Sequence, residues 1–243
     1  MLHSAPKFET FSFLSKIGHD ICPIRVEIAE WIHQSSEQKA SKDDFDVHFG
    51  LFVWPSARIL TQFLARNLGI LEGKIVLELG CGPALPTIFA ARHGRLEHAY
   101  ATDSSRNPDV RCNVKANIRE NRLEAIASYF CLDWGLPSFS QLERFRDTKP
   151  PDIVLAADCM YEPKYYDRIL GTIAFLFELN PSCQCFLSYQ LRDITDSIAL
   201  LLTRWHMEAV QIDIETFWSE SDQKLHPIPS IDSLFLYKIQ VKS

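Results

Sequence analysis

Apolar and polar positions along the chain change period at definite places, and those changes predict its elements. Cys22 to Trp31 alternates, with Ile24, Val26 and Ile28 set against Arg25 and Glu27. Phe45, Val47, Phe49, Leu51 and Val53 alternate again after the polar run from Gln34 to Asp44. Two period-2 runs around a polar loop predict an antiparallel hairpin within residues 21–54. Residues 1–20 show no clear period and stand apart as an N-terminal segment.

Beyond residue 54 the pattern alternates between strand and helix. Ile59, Leu60, Phe63, Leu64 and Leu68 share a helical face, with Ser56 as the expected cap and Gly69 as the stop. Ile75 to Leu79 is an apolar run suited to a strand buried on both faces. Helices are expected from about Ile88 to Gly94, after Asn107-Pro108 through Val110, Val114 and Ile118, over Lys164 to Leu179, and behind Asp196 through Ile198, Leu201, Leu202 and Trp205. Strands are expected at His98–Thr102, Ala125–Leu132, Asp152–Ala157, Gln184–Tyr189, His206–Ile214 and Leu234–Val241. Strands joined by helices predict an α/β fold with a mostly parallel sheet and an antiparallel closing strand. With no internal repeat, residues 21–243 read as one domain.

Composition narrows the functional classes. A hydrophobic content of 47% over 243 residues suffices for a full core without staples. No apolar run approaches the roughly 20 residues of a membrane span, and the first 19 residues have no signal-peptide pattern. Seven cysteines, an odd number with no C-x-x-C, argue against a disulfide framework and against zinc, and fit a reducing cell interior. A net charge of −6 speaks against general nucleic-acid binding and is compatible with a basic protein substrate.

The candidate chemistry gathers at strand ends. Gly80 and Gly82 follow the 75–79 run and clear side chains from a turn that a ligand would approach, while Glu78 places a carboxylate beside it. Leu85 stands where a dinucleotide fingerprint has its third glycine. A ligand with an ammonium group, a ribose and an adenine but no phosphates fits better, which describes S-adenosylmethionine. Asp103, about 20 residues past the loop, stands where a ribose-holding carboxylate is expected. Trp134, beside Asp133, could meet an adenine ring, and Trp54 could wall the pocket. Asp158, Tyr161 and Glu162 crowd the end of the 152–157 strand, at Ala157. Each has a plainer reading as a glycine turn, core tryptophan or solvated turn residue.

Val53-Trp54-Pro55-Ser56, Glu78-Leu79-Gly80-Cys81-Gly82, Asp103, Asp133-Trp134 and Ala156-Ala157-Asp158-Cys159-Met160-Tyr161 together resemble methyltransferase family 16 over roughly residues 45–240. The resemblance implies a Rossmann-like seven-strand methyltransferase fold with S-adenosylmethionine as cofactor. Trp54, Glu78, Gly80, Cys81, Gly82, Asp103, Trp134 and Ala157 would bind the cofactor, and Asp158, Tyr161 and Glu162 would serve transfer. The loop departs from the family's common form at Pro83-Ala84 and Thr87. Asp103-Ser104-Ser105, Tyr161-Glu162-Pro163, Asn180-Pro181 and Tyr189-Gln190-Leu191-Arg192 are similar to a branch described as nuclear and cytoplasmic arginine methyltransferases of histone H3. That implies a basic peptide such as a histone tail as partner. Lysine transfer to a non-histone protein, a non-catalytic cofactor-binding module and a small-molecule methyltransferase are the alternatives.

Overall fold

The computed structural model describes residues 7–15, 21–28, 50–135, 141, 145, 149–191 and 198–242. Its centre is a seven-stranded sheet of β3 (Ile75–Leu79), β4 (His98–Asp103), β5 (Ala127–Cys131), β6 (Ile153–Ala157), β7 (Gln184–Gln190), β8 (Met207–Ile212) and β9 (Leu234–Val241). The spatial order is β5-β4-β3-β6-β7-β9-β8, and β9 alone runs against its neighbours. The chain leaves β3 toward one edge and returns beside it as β6, so the order reverses between these two strands. In open α/β sheets ligands bind at the strands' carboxyl ends at such a reversal.

Period-2 alternation divides the core between the two faces of the sheet. Val76 and Leu155 join α1 (Pro55–Arg66), α2 (Leu85–His93) and α3 (Pro108–Glu120) on one face. Leu77, Val154 and Leu187 join α4 (Pro163–Leu179) and α5 (Ile198–Arg204) on the other. The apolar helical stripes read from the sequence are the buried ones: Ile59, Leu60, Phe63 and Leu64 in α1, and Val110, Val114 and Ile118 in α3.

Two expectations need revision. The hairpin that precedes the core pairs β1 (Lys7–Leu14) with β2 (Ile21–Ile28), antiparallel from Lys7↔Ile28 to Leu14↔Ile21. The first strand therefore comes from residues that carry no clear apolar period. Of the second run expected in this hairpin, positions 45–49 lie outside the described residues, and 50–53 form a turn and irregular chain. Phe11 and Phe13 bury fully into the α1–α2 core, and Ser12 between them lends its carbonyl oxygen to His226 Nε2 at 2.5 Å. Two anchoring rings one residue apart are too short a run for a periodic signal. Ser56, in turn, does not cap α1. Pro55 occupies the first turn, Trp54 is the cap residue, and Ser56 Oγ is buried. Proline's fixed φ starts the helix two residues earlier than a serine cap would.

Candidate active site

The β3–α2 turn is built from left-handed residues. Gly80 has φ +59° and Gly82 φ +49°, conformations that cost a side chain steric energy. Space forbids a side chain at Gly80 as well, since a Cβ there would lie 2.6 Å from Trp134 Cζ2 and 3.0 Å from Cys159 Sγ. Cys81 N–H donates to Thr102 O at 2.9 Å and Ala84 N–H to Cys81 O at 2.7 Å, which tightens the turn. Ala84, at one of the departures from the family's common loop, is also left-handed at φ +64°. Asn117 Nδ2 of α3 donates to Pro83 O at 3.0 Å and holds the turn from behind.

Glu78 points from β3 into the first turn of α2. Its Oε2 accepts from Thr87 N–H at 2.9 Å and from the Thr87 hydroxyl. Burial pushes its carboxyl up to about 8, against the pull of the Thr87 hydrogen bonds. Asp103, at the end of β4, accepts from Gly82 N–H at 3.0 Å and Ser104 N–H at 2.7 Å. Burial raises its carboxyl too, with those two N–H groups opposing. The expected ribose carboxylate thus also fixes the turn's second glycine.

Asp133 follows β5 and gathers Ser104 Oγ, Ser105 N–H, Ser105 Oγ and Gln141 Nε2 at 2.7–3.0 Å. Burial works to raise this carboxyl, but the hydrogen bonds outweigh it and bring it down to about 2. Asp133 therefore stays ionised and pins the Ser104-Ser105 turn. Beyond β6, the buried Asp158 is left-handed at φ +56°, a conformation aspartate tolerates better than most residues. Its N–H donates to Ser188 O at 2.7 Å, and its Oδ1 accepts from Gln190 N–H at 3.3 Å, so β7 sets its position.

Burial pushes the Cys81 and Cys159 thiols well up, so both stay protonated and act as apolar lining. Glu162 caps α4 with extended backbone and pairs its carboxylate with Lys164. Tyr161 and Tyr165 lie 5.7 Å apart between ring centroids, and Tyr165 meets Trp134 edge-on at 6.5 Å.

All eleven residues singled out from the sequence line one cavity of about 1160 Å³ at the carboxyl ends of β3, β4 and β6: Trp54, Glu78, Gly80, Cys81, Gly82, Asp103, Trp134, Ala157, Asp158, Tyr161 and Glu162. Trp54 packs edge-on against Phe52, and both rings line the cavity. Sequence reasoning missed Phe52, Arg106, Asn107, Tyr165, Asp167 and Arg168, and left Asp133 out of the site. For Tyr165 and Arg168 only a weak signal existed: they stand three residues apart at the start of the expected helix, the spacing of one helical face. The volume exceeds that of an ordinary small-molecule pocket, leaving space for a second reactant beside a cofactor.

A family model described as "Lysine methyltransferase" (Methyltransf_16) matches residues 33–201. Histone-arginine methyltransferase METTL23 of Homo sapiens is 35% identical over 172 residues, 71% of this chain and 87% of that protein. The Xenopus laevis protein of the same name is 31% identical over 212 residues, 87% of this chain and 82% of its own. Among solved structures, Streptococcus pneumoniae Sp1610 in complex with S-adenosyl-L-methionine is similar at a TM-score of 0.52 and 12% identity, covering 79% of this chain and 75% of that one. That likeness is one of fold.

Proposed function

The chain belongs to methyltransferase family 16 and takes S-adenosylmethionine as its cofactor, and on that premise we propose that it is a protein arginine methyltransferase acting on histone H3. The residues present fit the cofactor. Gly80 keeps clear a space that a Cβ would close against Trp134, and the buried Glu78 and half-buried Asp103 share the cavity with Trp54 and Trp134. Acidic side chains suit an ammonium and a sulfonium, whose charge would draw off the proton that burial keeps on Glu78 in the free protein, and indole rings suit an adenine. We assign Trp54, Glu78, Gly80, Cys81, Gly82, Asp103, Trp134 and Ala157 to cofactor binding.

When bound, S-adenosylmethionine supplies an electrophilic methyl group on its sulfonium. The protein's part is to hold a nucleophile in line with that carbon. A guanidinium stays protonated in water, with a pKa above about 12. A carboxylate that accepts from two of its nitrogens draws the positive charge toward them and frees the lone pair of the third. Asp158 and Glu162 are assigned that role, with Tyr161 and Trp134 screening the cavity from water. The observation that carries the reading is that both of these acids line the cavity proposed for the cofactor, where a guanidinium could meet them. The names of the METTL23 relatives support it. The family model's own description favours lysine as the second reading. Nucleus and cytoplasm are the proposed locations.

The test is to incubate the protein with core histones and radiolabelled S-adenosylmethionine, then hydrolyse the labelled band. Methylarginine in histone H3 is the expected product. Methyllysine would move the protein to the lysine reading with fold and cofactor intact. Cofactor binding with no label in any protein would make it a non-catalytic module.

A further inference from the structure

Six carboxylates line the cavity: Glu78, Asp103, Asp133, Asp158, Glu162 and Asp167. Five are engaged by partners that belong to the fold. Glu78 is held by Thr87, Asp103 by the Gly82 and Ser104 N–H groups, and Asp133 by Ser104, Ser105 and Gln141. Asp158 accepts from Gln190 N–H, and Asp167 is tied to the end of α5 by Arg204 and to the turn behind it by Trp205 Nε1. Glu162 differs. Its partner is the ammonium of Lys164, a side chain 58% exposed that does not itself line the cavity.

Lys164 does more than pair with Glu162. Its Nζ lies 4.7 Å from the centroid of the Tyr165 ring, so one ammonium holds a carboxylate and an aromatic face together. The Arg168 guanidinium approaches the same ring at 5.9 Å. Tyr165 thus sits in a cation-rich setting while forming, with Tyr161 and Trp134, a continuous aromatic wall of the cavity. A carboxylate beside a ring face is a good receptor for a cationic side chain.

We propose that Lys164 is an internal stand-in for the substrate's cationic side chain: it occupies Glu162 and Tyr165 in the free protein and is displaced from them when a basic peptide docks. This rests on the arginine-clamp reading of Glu162 and adds a specificity element, Tyr165, together with a competition step. Neither ion of an exposed pair is deeply desolvated, so the exchange is small in free energy and quickly reversible. The stand-in keeps Glu162 from remaining an unpaired acid at the mouth and sets a threshold that weakly cationic ligands do not cross.

The measurement compares wild-type protein with Lys164→Met, which keeps the apolar stem, and Lys164→Arg, which keeps the charge. A synthetic histone H3 tail peptide is titrated by calorimetry in the presence of S-adenosylhomocysteine, and KM for the same peptide is measured in parallel. The peptide should bind about fivefold tighter to Lys164→Met, the scale of one exposed pair plus one cation–ring contact. KM should fall by a similar factor, and Lys164→Arg should resemble the wild type. In a Tyr165→Leu background the gain from Lys164→Met should shrink, because the ring that the peptide inherits is gone. Unchanged or weaker peptide binding by Lys164→Met would overturn the stand-in whatever the turnover. Tighter binding without turnover in any of these proteins would leave the stand-in in place and sink the transferase reading instead.

Discussion

At the scale of single residues, the proposed cofactor cradle depends on what is absent. Gly80→Ala would add a methyl group 2.6 Å from Trp134 and hold a left-handed alanine, which costs about 1–2 kcal/mol. The expected outcome is at least a tenfold loss in cofactor affinity by calorimetry, with the far-ultraviolet dichroism of the wild type retained. Glu78 offers a second residue-level test. Its carboxyl stands at about 8 in the fold against 4.5 for the free side chain. The folded state holds the proton longer, so this contribution to stability is fully present below about pH 4.5 and is lost as pH rises through about 8. The thermal midpoint of the cofactor-free protein should therefore fall between about pH 5 and 8, and Glu78→Gln should flatten that fall. An equal slope in both proteins would contradict the assigned ionisation.

At the scale of elements, the sheet strands and helices α1–α5 were legible because burial imposes a period, whereas the helix at Glu220–Leu225 falls in a stretch that reads as a polar insertion. Val76 and Leu77 face opposite cores, and the apolar stripes of α1 and α3 pack where their spacing says. The hairpin was harder. Phe11 and Phe13 anchor β1 through two rings, and the partner of β2 is chosen by tertiary contacts that no local pattern encodes. The site was legible at its strand ends, where glycines and acids interrupt apolar runs. Its α4 wall was not, because Tyr165 and Arg168 read as ordinary helix-surface residues until Tyr161 is placed beside them. One connection beyond the reach of pattern is the link between α1 and α6 (Glu220–Leu225). Arg66 bonds Asp222 at 2.9 Å and Ser15 O at 2.9 Å, and Asp222 is fully buried. Arg66→Met should destabilise the protein by about 3 kcal/mol, because it leaves a buried acid short of its cation. Urea unfolding would check this, and a loss below about 1 kcal/mol would show that the Ser219 cap of Asp222 suffices alone.

At the scale of the whole molecule, one sheet with a core on each face delivers residues from distant parts of the sequence to a single cavity. Trp54, the Gly80–Gly82 turn, Asp103, Trp134 and Asp158 meet only because β3, β4, β5 and β6 lie side by side and end together. The net charge of −6 adds a long-range pull on a basic peptide. KM for a histone H3 peptide should therefore rise severalfold between about 50 and 300 mM salt as that pull is screened, while the cofactor's KM changes less.

The central claim is that this cavity joins a cofactor cradle to a separate transfer wall, and Asp158→Asn tests it most directly. Asparagine tolerates the left-handed backbone and can still accept from Gln190 N–H, so only the negative charge is lost. Measured side by side, S-adenosylmethionine affinity should stay within about twofold of wild type, while kcat on histone H3 falls at least a hundredfold, about 2.7 kcal/mol of transition-state stabilisation. Undiminished turnover would remove Asp158 from the chemistry, and a parallel collapse of cofactor affinity would contradict the division of the cavity into two functions.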